Sequence, residues 1–302
     1  MFGIAAMWIF FRHTIHIGQF SYFEPFEFLF SWGDCGVDVF LLLSGYGIYH
    51  SLKNELRIKN YVKKRLQRIT PPVLLFWLAI SAISKDTMFY NPVHMANVFF
   101  SSYWYIVMII LCYGLAYIVY LMKKHLLGIF LITEILCIAV IVIMRLYGKE
   151  THLYNVYIAR FPCFVLGMLL AHLTVYGLYK KLFCLKVGSV LLLLGTVSMF
   201  FIPMEFKDFR RILYIIPSVG ILFTVPFILN LLHKKSVSTA LSFIGKISLE
   251  FYLYHAFIMV HYLNKINGVT ESQFMTILII SIVTVLCSLV AKKMTNYITG
   301  IL

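Results

Sequence analysis

The sequence predicts an all-α protein, a polytopic transmembrane helical bundle of about ten spans with both termini cytoplasmic. Three observations carry that prediction. Of its 302 residues, 61% are hydrophobic and 13% charged, about half the charged fraction of an ordinary soluble domain. The apolar residues form continuous runs of about 15 to 22 residues with no strand-like alternation, which selects helices over a barrel. The Lys and Arg residues collect in the short connections between those runs, as topology signals do.

The runs fall at about 2–18, 36–50, 69–84, 103–121, 127–144, 157–176, 184–202, 212–231, 248–263 and 274–291. The first opens at Met1 and contains Arg12, His13 and His16. The second and third are short for a bilayer and are expected to extend into the basic connection Ser51 to Arg68, the longest hydrophilic stretch of the chain. The fourth to eighth runs are predominantly apolar, with Glu134 in the fifth and Arg160 in the sixth. The ninth holds Glu250, Tyr252 and His255, and the tenth closes on Lys292 and Lys293. With ten spans and both ends inside, the inner side receives the basic cluster Lys53 to Arg68, Lys123, Lys124, Lys180, Lys181, Lys234 and Lys235. The outer side receives the smaller set Lys85, Arg145, Lys149, Lys207, Arg210, Arg211 and Lys265.

Composition excludes disorder. The net charge of +14 does not indicate nucleic acid, because the basic residues lie in loops rather than on one patch. Cys35, Cys112, Cys137, Cys163, Cys184 and Cys287 form no ligand-spaced pair and read as small buried hydrophobes, so no metal is expected. No cleavable signal peptide, internal repeat or linker is expected, and residues 1–302 read as a single membrane domain with no appended soluble domain.

Ionisable groups inside apolar runs are expensive, on the order of 2.5 to 3.5 kcal/mol even on the milder scales, and normally face a bundle interior or a wet cavity. Arg12, His13, His16, Asp38, Glu134, Arg160, Glu250 and His255 are in that position. Tyr252 and His255 are three apart and share a helix face. The plainer alternatives are an Arg12–Asp38 pair that only holds helices together, His16 and His261 as structural residues, and Glu134 and Glu250 as hydrogen-bonding groups across helices. Arg65 and Arg68, three apart before Pro71 and Pro72, read either as topology and lipid contact or as a clamp for phosphate oxygens. Ser44 in LSGYG is a weaker candidate nucleophile, since Gly45 and Gly47 beside it suit close helix packing. These residues alone do not separate an enzyme from a transporter.

Six segments, in order, resemble acyltransferase family 3, the integral membrane acyltransferases of cell-envelope glycans. They are GIAAMWIFFRH (Gly3 to His13), GDCGVDVFLLLSGYGI (Gly33 to Ile48), YVKKRLQRITPP (Tyr61 to Pro72), SSYWYI (Ser101 to Ile106), RFPCFVLGMLLA (Arg160 to Ala171) and IGKISLEFYLYH (Ile244 to His255). The second is the most specific. Two positions depart from the family's pattern. Phe2 stands where an Arg usually lies eleven positions before the first-helix His, so the first helix is expected to be shortened at its N-terminus. Leu249 stands where a Tyr is usual.

The resemblance implies a multi-pass protein of the bacterial cytoplasmic (inner) membrane. Its implied activity is O-acylation, the transfer of acetyl from acetyl-CoA, or of another acyl group from its acyl-CoA, to a hydroxyl of an exopolysaccharide or other envelope glycan. It implies acyl-CoA as co-substrate with no tightly bound cofactor, and as partners a carbohydrate or glycolipid acceptor and membrane lipid; a homo-oligomer is left open. His13, with Asp38 and Arg12, is the expected catalytic group, because acyl transfer needs a base for the hydroxyl proton and stabilisation of an oxyanion. Arg65 and Arg68 are the expected CoA-phosphate ligands, and Tyr252, His255, Trp104 and Arg160 the expected substrate-binding residues. A transporter or flippase for a glycan or acylated precursor is the competing class, and a structural membrane partner the third.

Overall fold

The computed structural model describes residues 1–18, 30, 32–84, 97, 103–148, 157–177, 185–202, 209, 212–231 and 235–300. Among them are eleven α-helices and a short 3-10 turn, Lys123–His125. The helices are α1 (Phe2–Gly18), α2 (Asp34–Asn54), α3 (Ile58–Ser84), α4 (Trp104–Leu121), α5 (Leu126–Leu146), α6 (Phe161–Val175), α7 (Leu185–Phe201), α8 (Ile215–Leu231), α9 (Lys235–Lys246), α10 (Ser248–Thr270) and α11 (Gln273–Thr299). The all-α reading therefore holds, and each apolar run coincides with a helix.

The count of about ten spans, and the orientation argued from it, is corrected. By length and apolar composition, only α4, the stretch Lys123–Leu146 and α11 among the described residues are able to cross a bilayer. A fourth is gained if the bent pair α9 and α10 forms one span. The cause is partly length. Helix α6 has 15 residues and α1, α7 and α8 have 17 each. At 1.5 Å per residue these reach only about 22 to 26 Å, against a hydrocarbon core of about 30 Å. Helices α2 and α3 are long enough but carry Asp34, Asp38 and Lys53, and Lys59 to Arg68, respectively. With fewer spans, the parity that put both termini inside no longer follows.

The chain divides into two compact units. The first comprises Met1–Gly36, Val62–Asn97 and Lys235–Leu302. Here α1 packs on α9 and α10, and α10 on α11. Gly3 permits the tightest approach, since a Cβ on it would run into the Leu241 carbonyl of α9. The buried stripe of α11, Thr276, Ile280, Thr284 and Ser288, repeats every four residues, as one helix face does. Phe76 of α3 meets Tyr254 of α10 edge-on at 5.2 Å. Helix α9, which the apolar-run reading did not foresee, bends 81° into α10 at Ile247.

The second unit comprises Val37–Tyr61 and Val98–Lys234. Helix α6 packs on α4 and α5, and α7 on α8. Helix α2 crosses α6 where Gly45 meets the Phe164 carbonyl and Gly167 the Leu42 carbonyl, leaving no room for a Cβ at either glycine. Helix α5 buries only Leu126, Cys137 and Ile141. Its Leu131, Ile132, Ile135 and Leu136 are half or more exposed, the outward face of a helix whose solvent is lipid.

Candidate functional site

The first unit brings two sequence-predicted residues together. His13 Nδ1 of α1 lies 3.0 Å from His255 Nε2 of α10. The rings are within 11° of parallel with centroids 5.1 Å apart, so the contact joins ring edges in nearly one plane, as a hydrogen bond between imidazoles requires. His255 is 1% exposed, whereas His13 is partly exposed. Helix periodicity builds the wall around them. Phe251, one turn before His255, stacks on it at 5.7 Å, Tyr252 stands 5.7 Å away, and Phe10 of α1 closes the side at 6.2 Å. His255 Nδ1 lies 2.9 Å from the Phe251 carbonyl.

Arg12 precedes His13 on α1 and is half-buried, and its Nε is buried with no hydrogen-bond partner among the described residues. Gly33 packs directly on its Cβ. His16 is exposed one turn further on. Glu250, 1% exposed, reaches Lys292 Nζ of α11 at 3.3 Å, which gives the buried carboxylate a cation across the helix pair.

The second unit assembles three more of the predicted residues. Arg160, the residue before α6, donates from Nη1 to Asp38 Oδ1 of α2 at 2.7 Å, with both side chains nearly fully buried. Within this unit Asp38 is therefore paired with Arg160. The Arg160 guanidinium also lies 5.2 Å from the ring of Trp104, the first residue of α4. Glu134 of α5 has a buried Oε2 with no hydrogen-bond partner among the described residues. A cavity of about 310 Å³ with almost wholly apolar walls opens between α4 and α5, bordered by Thr133, Cys137 and Phe161.

Arg65 and Arg68 lie on α3, Arg65 half-exposed and Arg68 exposed, one helical turn before Pro71 and Pro72. The Ser101 and Ser102 end of the Trp104 segment lies outside the described residues, as do Cys184 and the Lys207 to Arg211 loop apart from Phe209. Sequence reasoning missed a second polar cluster. Tyr49 Oη of α2 is 2.7 Å from His172 Nδ1 of α6, and the Tyr49 ring packs at 5.2 Å on Tyr120 of α4, under Lys123. Its members sit at the ends of three helices, where Tyr and His pass for ordinary boundary residues. Among the described residues no three His, Cys, Asp or Glu side chains are grouped to hold a metal ion.

An all-α chain with lipid-compatible outer faces, a histidine pair in one unit and a buried Asp–Arg–Trp cluster in the other fits a membrane enzyme of group transfer. Residues 3–293 match the family described as Acyltransferase domain, acyltransferase family 3. That match covers most of the chain, and the chain belongs to this family. Membership supports a membrane acyltransferase role in general. No curated protein and no solved structure matches the chain.

Proposed function

We propose that this protein is a membrane O-acyltransferase that moves acetyl from acetyl-CoA to a hydroxyl of an exopolysaccharide or another cell-envelope glycan, working as a single domain in a bacterial cytoplasmic membrane. The observation that carries the reading is the His13–His255 pair in a chain of this family. A neutral imidazole hydrogen-bonded to a buried one keeps a lone pair free to accept a proton.

His13 is the base. It takes the proton of the acceptor hydroxyl as the oxygen attacks the thioester carbonyl, and a tetrahedral intermediate forms. Arg12, one residue away and with donor capacity in reserve, stabilises the oxyanion. When the intermediate collapses, the C–S bond breaks, the CoA thiolate leaves, and the proton held by His13 passes to sulfur. The products are an ester and CoA thiol, and no proton is gained or lost overall. Arg65 and Arg68 hold CoA phosphate oxygens; guanidiniums do so in bidentate fashion. Tyr252 borders His255, the partner of the base, and contacts the substrate.

Asp38, Arg160 and Trp104 take the glycan. An indole face and a carboxylate fixed by an arginine are the usual means of holding a sugar ring and its hydroxyls.

The test supplies purified protein in vesicles with acetyl-CoA labelled in the acetyl group and an envelope-glycan extract. Label is expected on the glycan, with transfer reduced about 10²-fold or more in His13→Ala. Translocation of unchanged glycan without release of CoA thiol would replace this reading by the transporter.

A further inference from the structure

We infer that His255 is the positioning residue of the site: it fixes the tautomer of His13, so that the proton of His13 sits on Nδ1 and its basic nitrogen is Nε2. The inference rests on the acyl-transfer reading for its catalytic consequence, whereas the tautomer itself follows from the hydrogen-bond chain alone.

The chain has one unambiguous end. His255 Nδ1 lies 2.9 Å from the Phe251 carbonyl oxygen. A carbonyl only accepts, so Nδ1 carries the hydrogen. His255 is 1% exposed, walled by Phe10, Phe251 and Tyr252, and a lone cation is costly in such a place. A neutral ring with its proton on Nδ1 has an in-plane lone pair on Nε2. That nitrogen lies 3.0 Å from His13 Nδ1 in rings tilted by only 11°. Two lone pairs facing each other at that distance would repel, so His13 Nδ1–H donates. Neutral His13 is left with its lone pair on Nε2.

The direction of the chain is thus Phe251 C=O ← H–Nδ1 His255 Nε2 ← H–Nδ1 His13. The arrangement parallels the orienting partner of a Ser-His-Asp triad, with a neutral imidazole in the place of the carboxylate. When His13 Nε2 takes the substrate proton, the positive charge is shared along the bond to His255, and the Phe251 carbonyl dipole lies at the far end to receive it. The other ionisable groups near the pair are Arg12 and His16 of α1 and Tyr252 of α10. The Tyr252 backbone, next to Phe251, also hydrogen-bonds the His255 ring, which keeps the same end of the chain on the backbone of α10. Substitution of His255 is therefore expected to slow the chemical step and leave acyl-CoA affinity unchanged.

The test is ring nitrogen NMR of the full chain labelled with ¹⁵N-histidine, in detergent near neutral pH. The two rings are assigned by the signals lost in His13→Gln and in His255→Gln. The expected spectrum has His13 protonated on Nδ1 and bare on Nε2, and His255 likewise. A His13 ring with its proton on Nε2, or on both nitrogens, overturns the inference. In His255→Phe the His13 proton is expected to move to Nε2, with kcat down about 10²-fold and KM for acyl-CoA unchanged. In His255→Gln, whose amide oxygen reaches the place of Nε2, the Nδ1 proton is expected to stay and kcat to recover to within about 10-fold of the parent. Equal losses in both variants, with the His13 tautomer unmoved, would also overturn it. A wild-type protein that transfers no acyl group would end the enzymatic reading but leave the tautomer result standing.

Discussion

At the scale of single residues, the chain concentrates expensive groups and settles them in pairs. Asp38 and Arg160 illustrate the cost. Both are nearly fully buried at 2.7 Å, and removing one partner strands the other's charge in a low-dielectric interior. Arg160→Met is expected to destabilise the protein by about 3–5 kcal/mol, read as a fall in the thermal unfolding midpoint in detergent. The double variant Asp38→Leu/Arg160→Met is expected to recover more than half of that loss, since no charge is stranded. If the pair serves glycan binding, the refolded double variant still fails in transfer; if it only joins helices, transfer returns with stability. The sequence made each of these residues conspicuous, because an Asp, an Arg or a His inside an apolar run needs a reason. It did not make their partners legible. His13 and His255 are 242 positions apart, and Asp38 pairs with Arg160, 122 positions away, a partner the sequence does not single out. Pairing at that separation is decided by helix packing, which leaves no local pattern.

At the scale of helices, apolar continuity located the elements and misjudged their lengths. The run 157–176 yields α6 over Phe161–Val175, and the run 212–231 yields α8 over Ile215–Leu231. Composition counts residues that lie outside the helix, while a bilayer counts only axial rise. Helix α9 was missed for the opposite reason. Lys235, Ser236, Ser238, Thr239 and Ser242 make it read as loop, yet Val237, Leu241 and Ile244 repeat at four and seven positions, the period of an amphipathic helix. Where helices cross closely, glycines set the distance. Gly167 lies against the Leu42 carbonyl, whereas Gly47, on the same helix as Leu42, has nothing within 4 Å of an added Cβ. Gly167→Val is expected to cost at least the 1–3 kcal/mol typical of overpacking, because the obstacle is backbone rather than a flexible side chain. Gly47→Ala is expected to be neutral or to stabilise by a few tenths of a kcal/mol through helix propensity. Unfolding midpoints of the two variants side by side check both expectations.

At the scale of the whole molecule, the family match runs continuously from residue 3 to residue 293 while the compact units interleave along the chain. The first unit is assembled from three separated segments, and its last, Lys235–Leu302, supplies both His255 and the helices against which α1 buries itself. No cut between neighbouring residues releases either unit intact. A chain ending at Lys234 keeps His13, Arg12, Asp38, Arg65, Arg68 and Arg160, which are most of the residues expected to act. It nevertheless uncovers Phe10 of α1, 0% exposed in the full chain, by removing Phe251 and His255 on which it packs. It also leaves His13 without the partner that orients it. The truncated chain is therefore expected to accumulate poorly in the membrane fraction, measured by immunoblot against the full chain, and to transfer no acyl group at matched protein amounts. Co-expression of Lys235–Leu302 as a separate polypeptide is expected to restore part of the accumulation, since α10 and α11 pack on one another and α1 packs on α9 and α10. Transfer that persisted in the truncated chain alone would mean that His13 needs neither α10 nor its histidine, and the catalytic role of the pair would fall with it.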